Sequence, residues 1–281
     1  MKQPTPDAPV RNSRAEQWRA GSARGETVER LLAEETPVGL SYDGKPHAVL
    51  MATPADLEDL AFGFTLTERI ASLGQICSVH VTPRAEGVSV DIILDAAAKA
   101  SRRAARTRSF EGRSSCGLCG VQRLAAAVRP LGAAPERLVL SRGAIQAAVA
   151  ALEAAQAMGR LTRAMHAAAW AGGSGAIEAV REDVGRHNAL DKLIGAGLRQ
   201  GLDPAEGFVV VTSRCSFEMV EKAALAGFSA LVAISAPTAL AIRKAEEAGM
   251  TLVALARSDG HTVFTRPDRI VETVAAEEAA A

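Results

Sequence analysis

Three short apolar runs, Phe208 to Thr212, Ala230 to Ser235 and Leu252 to Ala256, recur in the last third of the chain. Each is parted from the next by a helical segment of about ten to fifteen residues, the spacing of strand–helix–strand units. Strands alternating with helices are joined by crossovers, so the pattern predicts a parallel sheet covered by helices. In such sheets ligands gather where strands end and helices begin, because helix N-termini present free N–H groups to anions. The residues at those points are Ser213, Arg214, Cys215 and Ser216, then Ser235, Pro237 and Thr238, then Arg257, Ser258, Asp259 and Gly260. Any one small hydroxyl residue is also an ordinary helix cap. Three such loops in succession favour a nucleotide or phosphate ligand.

The sequence upstream mixes strands and helices. Val38 to Tyr42 and Pro46 to Ala52 read as a hairpin around Asp43-Gly44-Lys45. A helix follows, with Thr53 as its cap, Pro54 at its first position, and Leu57, Leu60, Ala61 and Phe64 at helical spacing. Ile76 to Thr82 and Val88 to Leu94 read as strands. Gly120 to about Arg129 and Ser141 to Met158 read as helices, the second led into by Leu138 to Leu140. His166 to Trp170, a turn at 172–175 and Ala176 to Glu182 form a strand pair, and His187 to Leu198 is helical by pattern. The sequence therefore predicts an α/β protein with a disordered tail over 1–25, a small α+β domain over 26–115 ending in a basic loop, and an α/β domain over 116–281.

With 281 residues, 48% of them hydrophobic, the chain can bury a substantial core. Its formal net charge is zero, so there is no global electrostatic case for nucleic acid or acidic membranes. Locally the balance differs. Lys99, Arg102, Arg103, Arg106, Arg108 and Arg113 lie close together with only Glu111 opposing them. This run reads either as a solvated face or as a mobile segment that docks an anion or a partner. The first residues lack a signal-peptide core, and no run approaches the roughly 18 apolar residues of a membrane span. A reducing cytoplasm is the expected compartment, where thiols persist.

Beside the basic run stands Ser114-Ser115-Cys116-Gly117-Leu118-Cys119-Gly120. A cysteine at a helix start, with Arg113 nearby, has its thiolate favoured by free N–H groups and by the helix dipole. Glycines at 117 and 120 clear space for a large partner, which makes Cys116 the leading candidate nucleophile. Structural zinc needs a second ligand pair, and Cys77, Cys215, His47, His80, His166, His187 and His261 show no such spacing. A thiol-disulfide oxidoreductase and a chemically idle pair remain alternatives on the motif alone.

A second concentration of charge, Arg181-Glu182-Asp183-Val184-Gly185-Arg186-His187-Asn188-Ala189-Leu190-Asp191-Lys192, surrounds a glycine at a strand-to-helix junction. His187 and Asp191 lie at i and i+4, so the carboxylate is expected to orient the ring. The segment reads either as a site or as a surface helix start with local ion pairs.

Taken with His166-Ala167-Ala168-Ala169-Trp170, Thr212-Ser213-Arg214-Cys215-Ser216-Phe217-Glu218-Met219-Val220, Ser235-Ala236-Pro237 and Thr262-Val263-Phe264-Thr265, these segments resemble the formate dehydrogenase accessory sulfurtransferase family, FdhD. The resemblance covers nearly everything after the tail. It implies a cytoplasmic homodimer that takes sulfur from a cysteine desulfurase as a persulfide on Cys116, assisted by Cys119. The sulfur passes to a molybdenum bis(molybdopterin guanine dinucleotide) cofactor, bound as substrate, that formate dehydrogenase requires. Family cofactor binding maps onto Leu255, Ala256, Arg257, Ser258, Asp259 and Gly260, the third loop above, and Ser213, Arg214, Ser235 and His187 are expected to join it. No protein-ligated metal is expected. A cytidine deaminase-like layered α/β/α fold is implied for the larger domain. Zinc deaminase chemistry is not, because Ala168 stands where that chemistry needs a glutamate after His166. Family members often carry glycine and threonine before this histidine, where the present chain reads Thr162-Arg163-Ala164-Met165-His166, and the bulk of Arg163 is expected to narrow or recharge the loop. The rival reading is a non-enzymatic chaperone that holds the cofactor without transferring sulfur.

Overall fold

A computed structural model describes residues 8–22, 24–104, 130–133 and 138–272, with side chains omitted at 103 and 104. Cys116, Cys119, Arg106, Arg108, Arg113 and the helix expected over 120–129 lie outside the described residues.

Within the stretch 1–25, expected as a disordered tail, the described residues from Val10 on form a strand of a hairpin. Strands β1 (Val10–Gln17) and β2 (Glu26–Ala33) pair antiparallel along their whole length. Their sequences lack an apolar face. Cross-strand polar contacts take its place: Arg11 meets Glu34 at 2.5 Å, Asn12 donates to Glu29 at 2.8 Å, and Arg30 donates to Gln17 at 2.6 Å. Period-two apolar alternation, the usual strand signal, was therefore absent from this stretch.

Strands β3 (Thr36–Tyr42) and β4 (Lys45–Ala52) form the expected hairpin, turning at Asp43 and Gly44, both at positive φ. With β5 (Ile76–Arg84) and β6 (Gly87–Leu94) they make a sheet of order β4-β3-β6-β5, in which β3 and β6 run parallel. Helix α1 (Leu57–Thr67) buries Leu57, Leu60, Ala61 and Phe64 against Val38, Leu40, Val90 and Ile92 of that sheet. Thr53 does not cap it. The helix begins after Asp56, and Thr53 is wholly buried elsewhere.

Helix α2 (Ala96–Ala104) follows β6 and leads toward the cysteine-bearing segment. Its Arg102 is not a solvated charge. The guanidinium lies 4.3 Å from the centre of the Tyr42 ring, donates to the Tyr42 carbonyl at 3.4 Å, and sits 3.3 Å from His47 Nδ1. Lys99 pairs with Asp43 at 2.9 Å. The front of the basic run is thus pinned to the small sheet by cation–π and hydrogen-bonding contacts.

The larger sheet is built from β8 (His166–Gly172), β9 (Ile177–Asp183), β10 (Gly207–Val211), β11 (Ala230–Ala233), β12 (Thr251–Arg257) and β13 (Gly260–Thr265). Its order is β13-β12-β11-β10-β8-β9. Only β10, β11 and β12 run parallel, as the three apolar runs predict; β8, β9 and β13 pair antiparallel, so the sheet is mixed. A short strand β7 (Leu140–Ser141) pairs with β14 (Ile270–Val271) and leads into α3 (Arg142–Ala155), whose first turn Ser141 caps through Ala144 N at 3.0 Å. The expected helix to Met158 breaks at Gln156, and α4 (Ala157–Thr162) begins afresh.

Helix α3 covers one face of this sheet, packing Ile145, Ala148 and Leu152 on Phe208, Val210 and Val232. Helices α5 (Arg186–Arg199), α6 (Phe217–Leu225) and α7 (Ala239–Glu247) cover the other, with Leu190, Leu193, Met219, Val220, Ala241 and Ala245 packed on Trp170, Val209, Val211 and Leu231. Consecutive residues of β10 thus point into opposite cores, which is why its sequence is an unbroken apolar run.

Helices α1 and α5 join the two parts at very close approach. A Cβ added at Gly63 would lie 1.8 Å from the Asp191 carbonyl oxygen, and one at Gly195 would lie 2.0 Å from that of Asp59. Arg181 and Arg199 both pair with Asp59 across the same seam.

Candidate functional site at the strand ends

The three flagged loops meet at one edge of the large sheet. Cys215 bridges to Pro237, with Cys215 N donating to Ala236 O at 3.2 Å and Thr238 N donating to Cys215 O at 2.9 Å. Leu255 N donates to Ser235 O at 3.3 Å, and the Arg257 guanidinium donates to the carbonyls of Ile234 and Ala256. Ser213, Arg214, Ser235, Leu255, Ala256 and Arg257 are thereby held on a continuous main-chain shelf.

The third loop differs from expectation in one respect: no helix follows β12. The chain turns through Ser258 and Asp259 into β13, so this loop offers a hairpin tip and no helix dipole. Leu255 is 46% exposed and takes a left-handed φ of 53°, an unusual conformation for a branched side chain that marks the shelf as locally strained. Asp259 and Gly260 line a cavity of about 440 Å³ with Arg142, Gln146 and His261.

Much of the charged segment 181–192 is structural. Asp183 and Lys192 form a wholly buried pair at 2.6 Å. Asp183 also accepts from Gly185 N at 2.7 Å, Asn188 Nδ2 at 3.0 Å and Thr53 N at 3.0 Å, while Lys192 donates to Thr53 O at 2.9 Å. Thr53 Oγ1 accepts from Val184 N at 3.2 Å. This network is what draws Thr53 away from the start of α1. Glu182 accepts from Met158 N and Gly159 N and so caps α4.

The expected His187–Asp191 pair does not form. His187 Nε2 lies 3.0 Å from Glu218 at the start of α6, and Asp191 turns to Lys222 and Thr67 at 2.9 and 2.7 Å. Burial pulls the Lys222 pKa down, but Asp191 and Glu68 outweigh it and hold the ammonium above its ordinary value, so it stays charged. The i,i+4 rule places the two side chains on one helix face; a buried lysine on the next helix is the stronger partner for the carboxylate.

Two residues that the sequence reasoning left off the candidate site lie beside it. His166 opens β8 opposite Asp183, beside the end of β10, where Ala167 bonds Thr212. Burial lowers its pKa below the ordinary value and Arg186, His187 and Arg214 add to the effect against an opposing Asp183, so the imidazole is neutral at neutral pH. Arg186, the first residue of α5, has an Nε shut off from solvent with no hydrogen-bond partner. The usable signal for both was the pairing of β8 with β9, which brings the two motifs face to face. Arg163 ends α4 at φ 55°, a left-handed position that favours glycine.

Cys215 is wholly buried, and burial pushes its thiol pKa up to about 12, which disfavours the nucleophilic thiolate. Among the described residues no group of three or more His, Cys, Asp or Glu side chains is placed to hold a metal ion, and no helix is long and apolar enough to cross a membrane.

A mixed α/β fold with a cationic shelf at its strand ends is the geometry on which comparison with known proteins bears. The model of the FdhD/NarQ family matches residues 33–271, and the chain belongs to that family. It is 49% identical over 248 residues to the sulfur carrier protein FdhD of Agrobacterium fabrum, covering 87% of this chain and 91% of the relative. It is 43% identical over 253 residues to the sulfur carrier protein FdhD of Bordetella petrii, covering 90% and 91%. A crystal structure from Desulfotalea psychrophila, assigned as a formate dehydrogenase accessory protein, shares the fold at a TM-score of 0.74 and 23% identity, over 93% of this chain and 99% of the other.

Proposed function

We propose that this chain carries sulfur, as a persulfide on Cys116, from a cysteine desulfurase to the molybdenum bis(molybdopterin guanine dinucleotide) cofactor, and that it serves formate dehydrogenase in doing so. The observation that carries the reading is the membership itself: relatives named sulfur carrier protein FdhD align at 43% and 49% identity over about nine-tenths of the chain. Cys116 and Cys119 form its only closely spaced thiol pair. The cofactor is cargo. Leu255 to Gly260 bind it, supported by Ser213, Arg214, Ser235 and His187 on the adjoining loops.

The chemistry balances without an outside oxidant. Cys119 thiolate attacks the inner sulfur of the Cys116 persulfide, a Cys116–Cys119 disulfide forms, and the terminal sulfur leaves with the electron pair, at the sulfide level, toward the acceptor. A thiol reductant then resets the pair. In the other role open to it, Cys119 lowers the pKa of its neighbour and the acceptor takes the terminal sulfur directly.

We also read the large sheet, covered by α3 on one face and by α5, α6 and α7 on the other, as the deaminase-like layer architecture. The proposed division sets a smaller α+β domain before the cysteines and the layered domain after them. A cytoplasmic homodimer completes the proposal.

Placement of the nucleotide is tested by hydrogen exchange on the full chain titrated with GDP. Protection is expected at residues 213–216, 235–238 and 257–260; protection confined to the N-terminal half would contradict it.

A further inference from the structure

The β1–β2 hairpin is an arm without a core of its own. It forms a two-stranded sheet joined to no other strand among the described residues, and not one residue of either strand is buried. β2 rests against α4. A two-stranded ribbon is marginal in water unless something covers it, and its outer edges expose unpaired backbone groups. The arm also carries apolar bulk that its own chain leaves in contact with solvent. Trp18, just past the end of β1, is 62% exposed. Leu31 and Leu32 are consecutive residues of β2 and so point to opposite faces, and both are exposed. Leu161 of α4, the helix that β2 touches, is exposed as well.

We propose that this arm is a dimerisation surface whose partner is a second copy of the chain, each protomer laying its arm on the other. Charge decides the kind of partner. Between Val10 and Glu35 five arginines and five glutamates interleave, with no lysine or aspartate among them. A polyanion, an anionic membrane or a protein face of one sign meets as much repulsion as attraction there. A two-fold contact sets a mixed patch against itself, where each sign finds its opposite.

Area is the second argument. Eight-residue strands are about 26 Å long and the ribbon is about 10 Å wide, so reciprocal cover of one face per arm buries on the order of 1,000 Å², the size at which a specific interface begins. Trp18 supplies the kind of aromatic anchor that dominates such contacts. The inference rests on the homodimer proposed above. It places the contact on a segment of which the family match, beginning at residue 33, covers only the last residue of β2.

The test is sedimentation equilibrium on the full chain at micromolar concentration. The parent is expected to be a dimer, and Trp18→Ala and Leu32→Ser are each expected to raise its dissociation constant at least about tenfold. Both side chains are exposed, so the far-UV circular dichroism of the variants should match the parent's. Acrylamide quenching gives a second readout, because the chain has two tryptophans and the other, Trp170, is buried. Trp18 should be shielded in the dimer, open on dilution, and open throughout in Leu32→Ser. A monomeric parent overturns both the arm and the homodimer. A dimer that both variants leave unchanged overturns the arm alone. Shielding of Trp18 in a monomer places it under another part of its own chain, and shielding only on addition of a cysteine desulfurase assigns the arm to that enzyme; either result overturns the inference. None of these readouts involves Cys116, so their failure leaves the sulfur-carriage proposal standing.

Discussion

Lys192 and Asp183 show how a charged motif can be structural. Their pairing is buried from all sides, and Asp183 accepts from three further N–H groups, so the carboxylate is satisfied only while the whole network stands. Removing one partner strands the other: Lys192→Met is expected to cost about 3–5 kcal/mol in urea denaturation. The double variant Asp183→Leu/Lys192→Met should recover part of that loss, and equal loss in both would show that the pairing itself matters little. The composition of segment 181–192 was legible in the sequence, but the partners were not. Asp191 selects Lys222 and His187 selects Glu218, residues reached only once α6 is packed against α5.

At the level of elements, the apolar runs predicted β10, β11 and β12 and their parallel order because a strand buried on both faces leaves an unmistakable pattern. The β1–β2 hairpin left none, since its pairing rests on exposed charge and amide contacts. Nor does a local pattern reveal that Arg102 stacks on Tyr42, sixty residues away. The seam of α1 and α5 depends on glycine at both contact points. Gly195→Ala drives a methyl into the Asp59 carbonyl and must part the helices, with an expected cost of about 1–3 kcal/mol or more by thermal or urea unfolding. Parent-like stability of that variant would mean the seam is looser than described. Gly201→Ala is no fair comparison, because its φ of 80° strains any side chain whatever the space around it.

For the whole molecule, the small sheet holds α2, which leads toward the thiol pair, while the large sheet gathers its loops into a cationic edge. The two are clamped through α1 and α5. In the proposed function Cys116 carries the sulfur. Intact-mass analysis of the full chain after incubation with a cysteine desulfurase and cysteine tests it most directly, with Cys77→Ala alongside because Cys77 is the exposed thiol among the described residues. A gain of one sulfur atom is expected in the parent and in Cys77→Ala, and none in Cys116→Ala. An unmodified parent, or the same gain in Cys116→Ala, would contradict it.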